Sequence, residues 1–247
     1  MAGHSKWANI KHRKGRQDAL RGKIATKIAR EITVAVRLGG ADPALNMKLK
    51  LALQKAKENN VPKDNIQRAI TKGQGNAESG HYDEIRYEGY GPGGIAVIVD
   101  TLTDNKNRTA AGVRHLFSKY GGNLGETGSV NWIFDFKGVF LVDSAESPLN
   151  EEELMLLALD AGAEDVKTED GEYEIITSPE EFDSVAAVLE ENQVPTRMAQ
   201  VTMVPQTMTE LGDEEAKKMI KLLESLEEDD DVQDVYSNFA MPDDFEE

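Results

Sequence analysis

The chain has 247 residues, 39% of them hydrophobic and 30% charged, with 21 Gly, 8 Pro and no Cys. That is long enough for one large domain or two to three small ones and too apolar for wholesale disorder. Without cysteine, disulfide frameworks, thiol catalysis, iron–sulfur clusters and thiolate zinc sites are excluded. The net charge of −17 is held unevenly: residues 1–75 carry 17 Lys and Arg against 5 Asp and Glu, a balance of +12, whereas residues 76–247 carry 11 against 40, a balance of −29. Such a separation points to contact with nucleic acid or a membrane surface; the plainer alternative is a solvated basic helical domain.

In chain order, a basic arm leads into a helix over Gln17 to Leu38, where Leu20, Ile24, Ile28, Ile32, Ala35 and Val36 lay one apolar stripe. Gly39-Gly40 ends it, and Asp42-Pro43 offers an N-cap and a first-turn proline for a second helix carrying Leu45, Leu49, Leu53 and Ala56. A third, with Ile66, Ala69 and Ile70, closes at Gly73, and Gln74 to Gly80 reads as a linker. From Tyr82 the period falls to two: Ile85, Tyr87, Ile95, Val97 and Val99 flank the turn Gly91-Pro92-Gly93-Gly94, a hairpin. A helix over Arg108 to Tyr120, a glycine-rich loop from Gly121 to Gly128 and a strand through Val130 to Phe134 follow.

The stretch from Gly138 to Pro205 then reads strand, helix, two strands, helix, strand, which is the ferredoxin-like split unit. A helix over Asp213 to Leu226 and a strand near Val232 to Phe239 remain, and they complete the elements of Tyr82 to Phe134. The expected class is therefore α+β and multidomain: an N-terminal three-helix domain (1–75), an α/β domain (81–134 plus 207–240), and a second ferredoxin-like α/β domain (135–206) inserted into it. The longest unbroken apolar run, Leu154 to Leu159, is six residues, against about 18 for a membrane span. No membrane partner is expected. The opening is basic and lacks the apolar core of a secretory signal, which gives a cytoplasmic address as the expectation.

The strongest motif is GHSKWANIKHRKGRQDALRGK, Gly3 to Lys23, in which Lys6, Lys11, Arg13, Lys14, Arg16, Arg21 and Lys23 face one acid, Asp18. His4, Ser5, Trp7 and His12 interleave with them, so the segment joins phosphate neutralisation to planar groups able to stack on bases. The alternative is a solvated tail with Trp7 folded back on the helical domain. Lys27, Arg30 and Arg37 on the first helix, Lys48, Lys50, Lys55 and Lys57 on the second, and Lys63 and Arg68 on the third are placed on exposed faces, widening the footprint. Asn105, Lys106, Asn107 and Arg108 stand where a strand gives way to a helix. Either they gather an anion at the helix N-terminus, or Asp104 or Asn105 caps the helix in the ordinary way.

Neither glycine-rich turn carries a phosphate-loop or dinucleotide fingerprint. The four histidines, His4, His12, His81 and His115, make no metal-ligating pair, and no nucleophile elbow is present. The acids from Glu227 to Asp231 read as solvated, or as able to fold against the basic arm. Neither catalytic residues, metal, nor cofactor are expected, and the protein is expected not to be an enzyme.

The opening AGHSKWANIKHRKGRQDALRGK, the segment YEGYGPGGIAVIVDTLTDNKNRTAAGVRHLFSKYGGNLGETGSV and the later ALDAGAEDV closely resemble the YebC family. The resemblance spans essentially the whole chain. It implies a helical N-terminal domain followed by two α/β domains, cytoplasmic residence and no enzymatic activity. Members are named probable transcriptional regulatory proteins, and mitochondrial relatives are translational activators. Two mechanisms follow. In one, the basic helical domain grips duplex DNA while the acidic domains face outward, free to form a homodimer. In the other, the arm enters ribosomal RNA and the protein relieves stalling on proline-rich sequences.

Overall fold

The computed structural model describes residues 22–75, 82–169 and 171–240. The chain is α+β: N-terminal helices followed by two four-stranded antiparallel sheets and a two-residue parallel pair. It divides into two compact units, one formed by residues 132–208 and the other by the described residues up to 131 together with 209–240.

Among the described residues, three helices open the larger unit. Helix α1 covers residues 22–39 and ends as the spacing predicts, with Gly40 at φ +84° donating its N–H to the Val36 carbonyl, a conformation that favours glycine. Helix α2, Met47–Glu58, does not start at Asp42-Pro43. Asn46 is the N-cap: its side-chain oxygen accepts from Leu49 N–H, and its amide donates to the carbonyls of Ala35 and Gly40. Asn46 is buried and satisfies three backbone groups at once, whereas Asp42 only turns the loop by accepting from Ala44 N–H. Helix α3 is Lys63–Gln74. Ile28, Ile32, Val36, Leu49, Ala52, Ala56 and Ala69 form the shared core. Gly73 lets α3 cross α1 closely, since a Cβ there would stand 2.7 Å from the Thr33 carbonyl oxygen.

The rest of this unit is a four-stranded antiparallel sheet. Strands β1 (Asp83–Tyr90) and β2 (Ala96–Thr103) form the predicted hairpin around Gly93 and Gly94, both at positive φ. Helix α4 is Lys106–Lys119, and β3 is only Asn123–Leu124. After the other unit come β8 (Thr209–Glu210), α7 (Asp213–Glu228), β9 (Val232–Ser237) and β10 (Phe239–Ala240). The sheet order is β3-β1-β2-β9, and β8 pairs with β10. Central β2 is buried along nearly its whole length, as a strand flanked on both edges should be.

The smaller unit runs β4 (Phe134–Asp143), α5 (Glu151–Asp160), β5 (Ala163–Glu169), β6 (Glu172–Thr177), α6 (Phe182–Glu191), β7 (Met198–Pro205), with sheet order β5-β6-β4-β7. All pairs are antiparallel, the ferredoxin-like plan. Phe140 of β4 stacks on Phe182 of α6 with ring centroids 4.5 Å apart, at the centre of a core with Leu154, Ile175, Val185 and Leu189.

The expected strand through Val130 to Phe134 is absent. Residues Asn131–Ile133 make a single tight helical turn, and one long strand, β4, begins at Phe134. Glu88 is the reason: its buried carboxylate accepts N–H groups from Gly128, Val130 and Asn131, and the last two are donors a strand ladder would need.

Candidate nucleic-acid interface

The charge polarity of the sequence reappears as a contact within the larger unit. Five cations of the helices reach acceptors on the α/β side. Lys23 Nζ donates to the Glu228 carbonyl at 3.1 Å and lies 3.4 Å from Asp230. Lys27 Nζ donates to the Glu227 carbonyl at 2.7 Å. Arg30 donates to the carbonyls of Leu102 and Asp230, approaches the Asp231 carboxylate, and lies over the Tyr82 ring. Lys48 pairs with Glu84, and Lys55 with both Glu31 and Asp234.

Two general effects make this arrangement favourable. The last carbonyls of a helix have no intrahelical partner and carry the negative end of its dipole, so Lys23 and Lys27 complete the C-terminus of α7 from another element. Half-burial pushes the Lys27 ammonium below its ordinary value, with Asp229, Asp230 and Glu227 opposing that shift. Burial also raises Glu31, while the two carboxylates around Lys55 outweigh its desolvation and raise its affinity for the proton.

At the centre stands Asp231, only 7% exposed in the turn between α7 and β9. Its Oδ2 lies 2.6 Å from Arg108 Nη2, 2.8 Å from the Thr109 hydroxyl and 3.3 Å from the Thr103 hydroxyl. Burial alone would raise this carboxyl. The Arg108 guanidinium and the two hydroxyls outweigh it and hold the group below its ordinary range. One carboxylate thus ties together α1, the end of β2, the start of α4 and the α7–β9 turn.

The site residues expected from sequence fall into three groups. His4, Ser5, Lys6, Trp7, Lys11, His12, Arg13, Lys14, Arg16 and Arg21 lie outside the described residues. Lys23 and Lys27 dock on the end of α7, as above. Of the DNKNRT residues, Asn105 is the N-cap of α4, its side chain accepting from Arg108 N–H at 3.1 Å. Lys106 lies 3.0 Å from Asp83, and Arg108 bridges Asp104 and Asp231. Asn107 is exposed on the first turn of α4.

Arg30 and Lys55, placed on exposed faces by the sequence, are half-buried instead, because the Asp231 carboxylate with the Leu102 and Asp230 carbonyls meets the first and the Glu31 and Asp234 carboxylates meet the second; Lys27 and Lys50, placed likewise, are also partly buried. Exposed cations of the helical part include Lys57, Lys63, Arg68 and Lys72. The acids from Glu227 to Asp231 are not all solvated, since Asp231 is buried and paired. Glu88, Thr103, Thr109 and Asp231 carry no local sequence signal. Among the described residues no helix is long and apolar enough to cross a membrane.

A basic helical part bound by charge to an antiparallel α/β part, with a ferredoxin-like unit inserted in the chain, defines an α+β protein built around a divided charge. Two family descriptions match it: the TACO1/YebC protein N-terminal domain over residues 5–76, and the TACO1/YebC second and third domain over residues 82–239. The chain belongs to the TACO1/YebC family. It is 55% identical over 98% of its length to the whole of a "Probable transcriptional regulatory protein" of Carboxydothermus hydrogenoformans. It is 56% identical, over 96% of each chain, to one of the same name from Geobacillus thermodenitrificans. A crystal structure of a conserved hypothetical protein from Aquifex aeolicus is similar at TM-score 0.75 and 47% identity, covering 92% of this chain and 93% of that one.

Proposed function

We propose that the protein is a non-enzymatic, nucleic-acid-binding regulator of gene expression that acts in the cytoplasm, with DNA as its target and the segment from Gly3 to Lys23 as its principal grip. The observation that carries this reading is the six cations against one acid from Lys6 to Arg21; Lys23, the seventh cation of the segment, is docked on the end of α7. The names of the relatives, transcriptional regulatory proteins, favour DNA. Intramolecular docking supports the same division of labour. Lys27, Arg30 and Lys55 already have acidic or carbonyl partners, so they serve the contact between helices and sheet.

A second reading rests on Trp7. An indole within a cationic segment stacks on unpaired bases more readily than it enters a duplex groove, which favours ribosomal RNA and a role in translation. One experiment separates the two: binding of the full chain to duplex DNA, structured RNA and intact ribosomes across a salt series, with wild type, K11A/R13A/K14A and K23A/K27A. Loss of three phosphate contacts should flatten the slope of log K against log salt by up to roughly three units. K23A/K27A should change that slope far less. An unchanged slope in the triple variant refutes the assignment of the grip. Tight duplex binding supports the first reading, and selective ribosome binding the second.

A further inference from the structure

Helices α2 and α3 are joined by four residues, 59–62, held in one geometry. Asn60 stands at φ +52°, in the left-handed region that asparagine tolerates better than most residues. Val61 N–H bonds to the Ala56 carbonyl at 2.9 Å and its side chain is buried in the shared core, while the Pro62 carbonyl accepts the Asn65 and Ile66 amides that open α3. On its inner side α3 presents Ala69 and Gly73 to the core and to α1. Its outer side carries Asp64, Gln67, Arg68, Thr71 and Lys72, all exposed, at the three- and four-residue spacing of one helix face. Packing asks little of them. The Thr71 hydroxyl returns to the Gln67 carbonyl, and Arg68 bonds the Asp64 carbonyl and, at 2.7 Å, Asn65 Oδ1.

We propose that α2 and α3 form a helix–turn–helix whose second helix lies in the major groove of duplex DNA, with Gln67, Arg68 and Thr71 reading base edges and Lys63 and Lys72 holding phosphates. This rests on the DNA reading above and goes further, because the segment from Gly3 to Lys23 supplies grip without sequence preference and α3 supplies the selection. Charge favours a polyanion. Lys63 and Lys72 are exposed and have no acidic partner among the described residues, whereas Lys23, Arg30, Lys48 and Lys55 of α1 and α2 are each paired with an acid. Nine positions apart, Lys63 and Lys72 fall on opposite flanks of the outer face, where the two phosphate backbones of a groove would run. Shape favours DNA over RNA: a 12-residue helix is about 18 Å long and about 10–12 Å across, which the major groove of B-DNA admits and the deep, narrow groove of A-form RNA does not. The side chains suit base edges. Gln pairs with adenine, the Arg fork with guanine, Thr with either, and Asp64, the acid of this face, can accept from the cytosine amino group. Asn65 holds Arg68 in place beforehand, so less side-chain freedom is lost on binding.

The test selects duplexes from a random-sequence pool with the full wild-type chain, then measures binding of the enriched duplex, a scrambled duplex of the same composition and an RNA hairpin across a salt series. Wild type should prefer the enriched duplex over the scrambled one by about tenfold or more. Q67A/R68A should abolish that preference while binding the scrambled duplex nearly as before. K63A/K72A should weaken both duplexes alike and flatten the slope of log K against log salt by about two units. K11A/R13A/K14A should weaken both duplexes as well and leave the preference in place. All four α3 side chains are exposed, so matching thermal melts verify that the two α3 variants are folded.

Duplex binding by wild type with no enriched sequence, or an undiminished preference in Q67A/R68A, overturns α3 as the reading helix and leaves the proposed function standing. Loss of RNA-hairpin binding in Q67A/R68A with the duplex preference intact assigns the face to RNA and overturns it too. Failure of wild type to bind any duplex overturns both this assignment and the DNA reading.

Discussion

Replacing Asp231 by alanine should destabilise the larger unit by about 2–3 kcal/mol at pH 7. Thr103 and Thr109 are both essentially buried, and each hydroxyl loses its charged acceptor, at about 1 kcal/mol apiece. Half-buried Arg30 loses one of its anchors, which supplies the remainder; exposed Arg108 adds little. D231N should cost less, because its amide oxygen still accepts one hydroxyl. The carboxyl sits below its ordinary value of 3.8 in the folded chain. A depressed pKa contributes stability that is complete above the unfolded value and is lost as pH falls through the folded one. The difference between wild type and D231N should accordingly be full at pH 7 and shrink below about pH 4. Urea unfolding followed by circular dichroism at the two pH values measures it. A D231A variant within about 0.5 kcal/mol of wild type at pH 7, the range of an ordinary surface change, would refute the reasoning.

Two further expectations follow from buried contacts. E88Q should cost about 2–4 kcal/mol and speed amide exchange at Gly128, Val130 and Asn131, because an amide cannot accept from all three donors. Burial would raise this carboxyl, and the three N–H groups with Arg86 hold it below 4.5 instead, so its contribution too disappears only on the acid side. G73A should lower the melting temperature of the helical part by an amount corresponding to about 1–2 kcal/mol. The overlap of its Cβ with Thr33 and Val36 exceeds the gain in helix propensity, and an unchanged melt would show that α3 moves aside freely.

Amino-acid order alone determined what depends on near neighbours. The four-residue apolar spacing of Ile28, Ile32 and Val36 fixes α1, the alternation around Gly93 and Gly94 fixes the hairpin, and the strand–helix rhythm from residue 138 to 205 fixes the ferredoxin-like unit. Each is a local period or a local backbone requirement. The division of charge between the first third and the remainder was equally plain.

Tertiary structure decided where those charges go. Lys23, Lys27 and Arg30 meet partners about 200 residues away along the chain, which no local pattern encodes. Glu88 reaches 42 and 43 residues on to claim the amides of Val130 and Asn131, which a strand there would have used. Asn46 displaced Asp42 as the cap of α2 because only the folded hairpin brings the Ala35 carbonyl to its amide. A buried polar group takes whichever partners the fold delivers, and that choice is made in three dimensions.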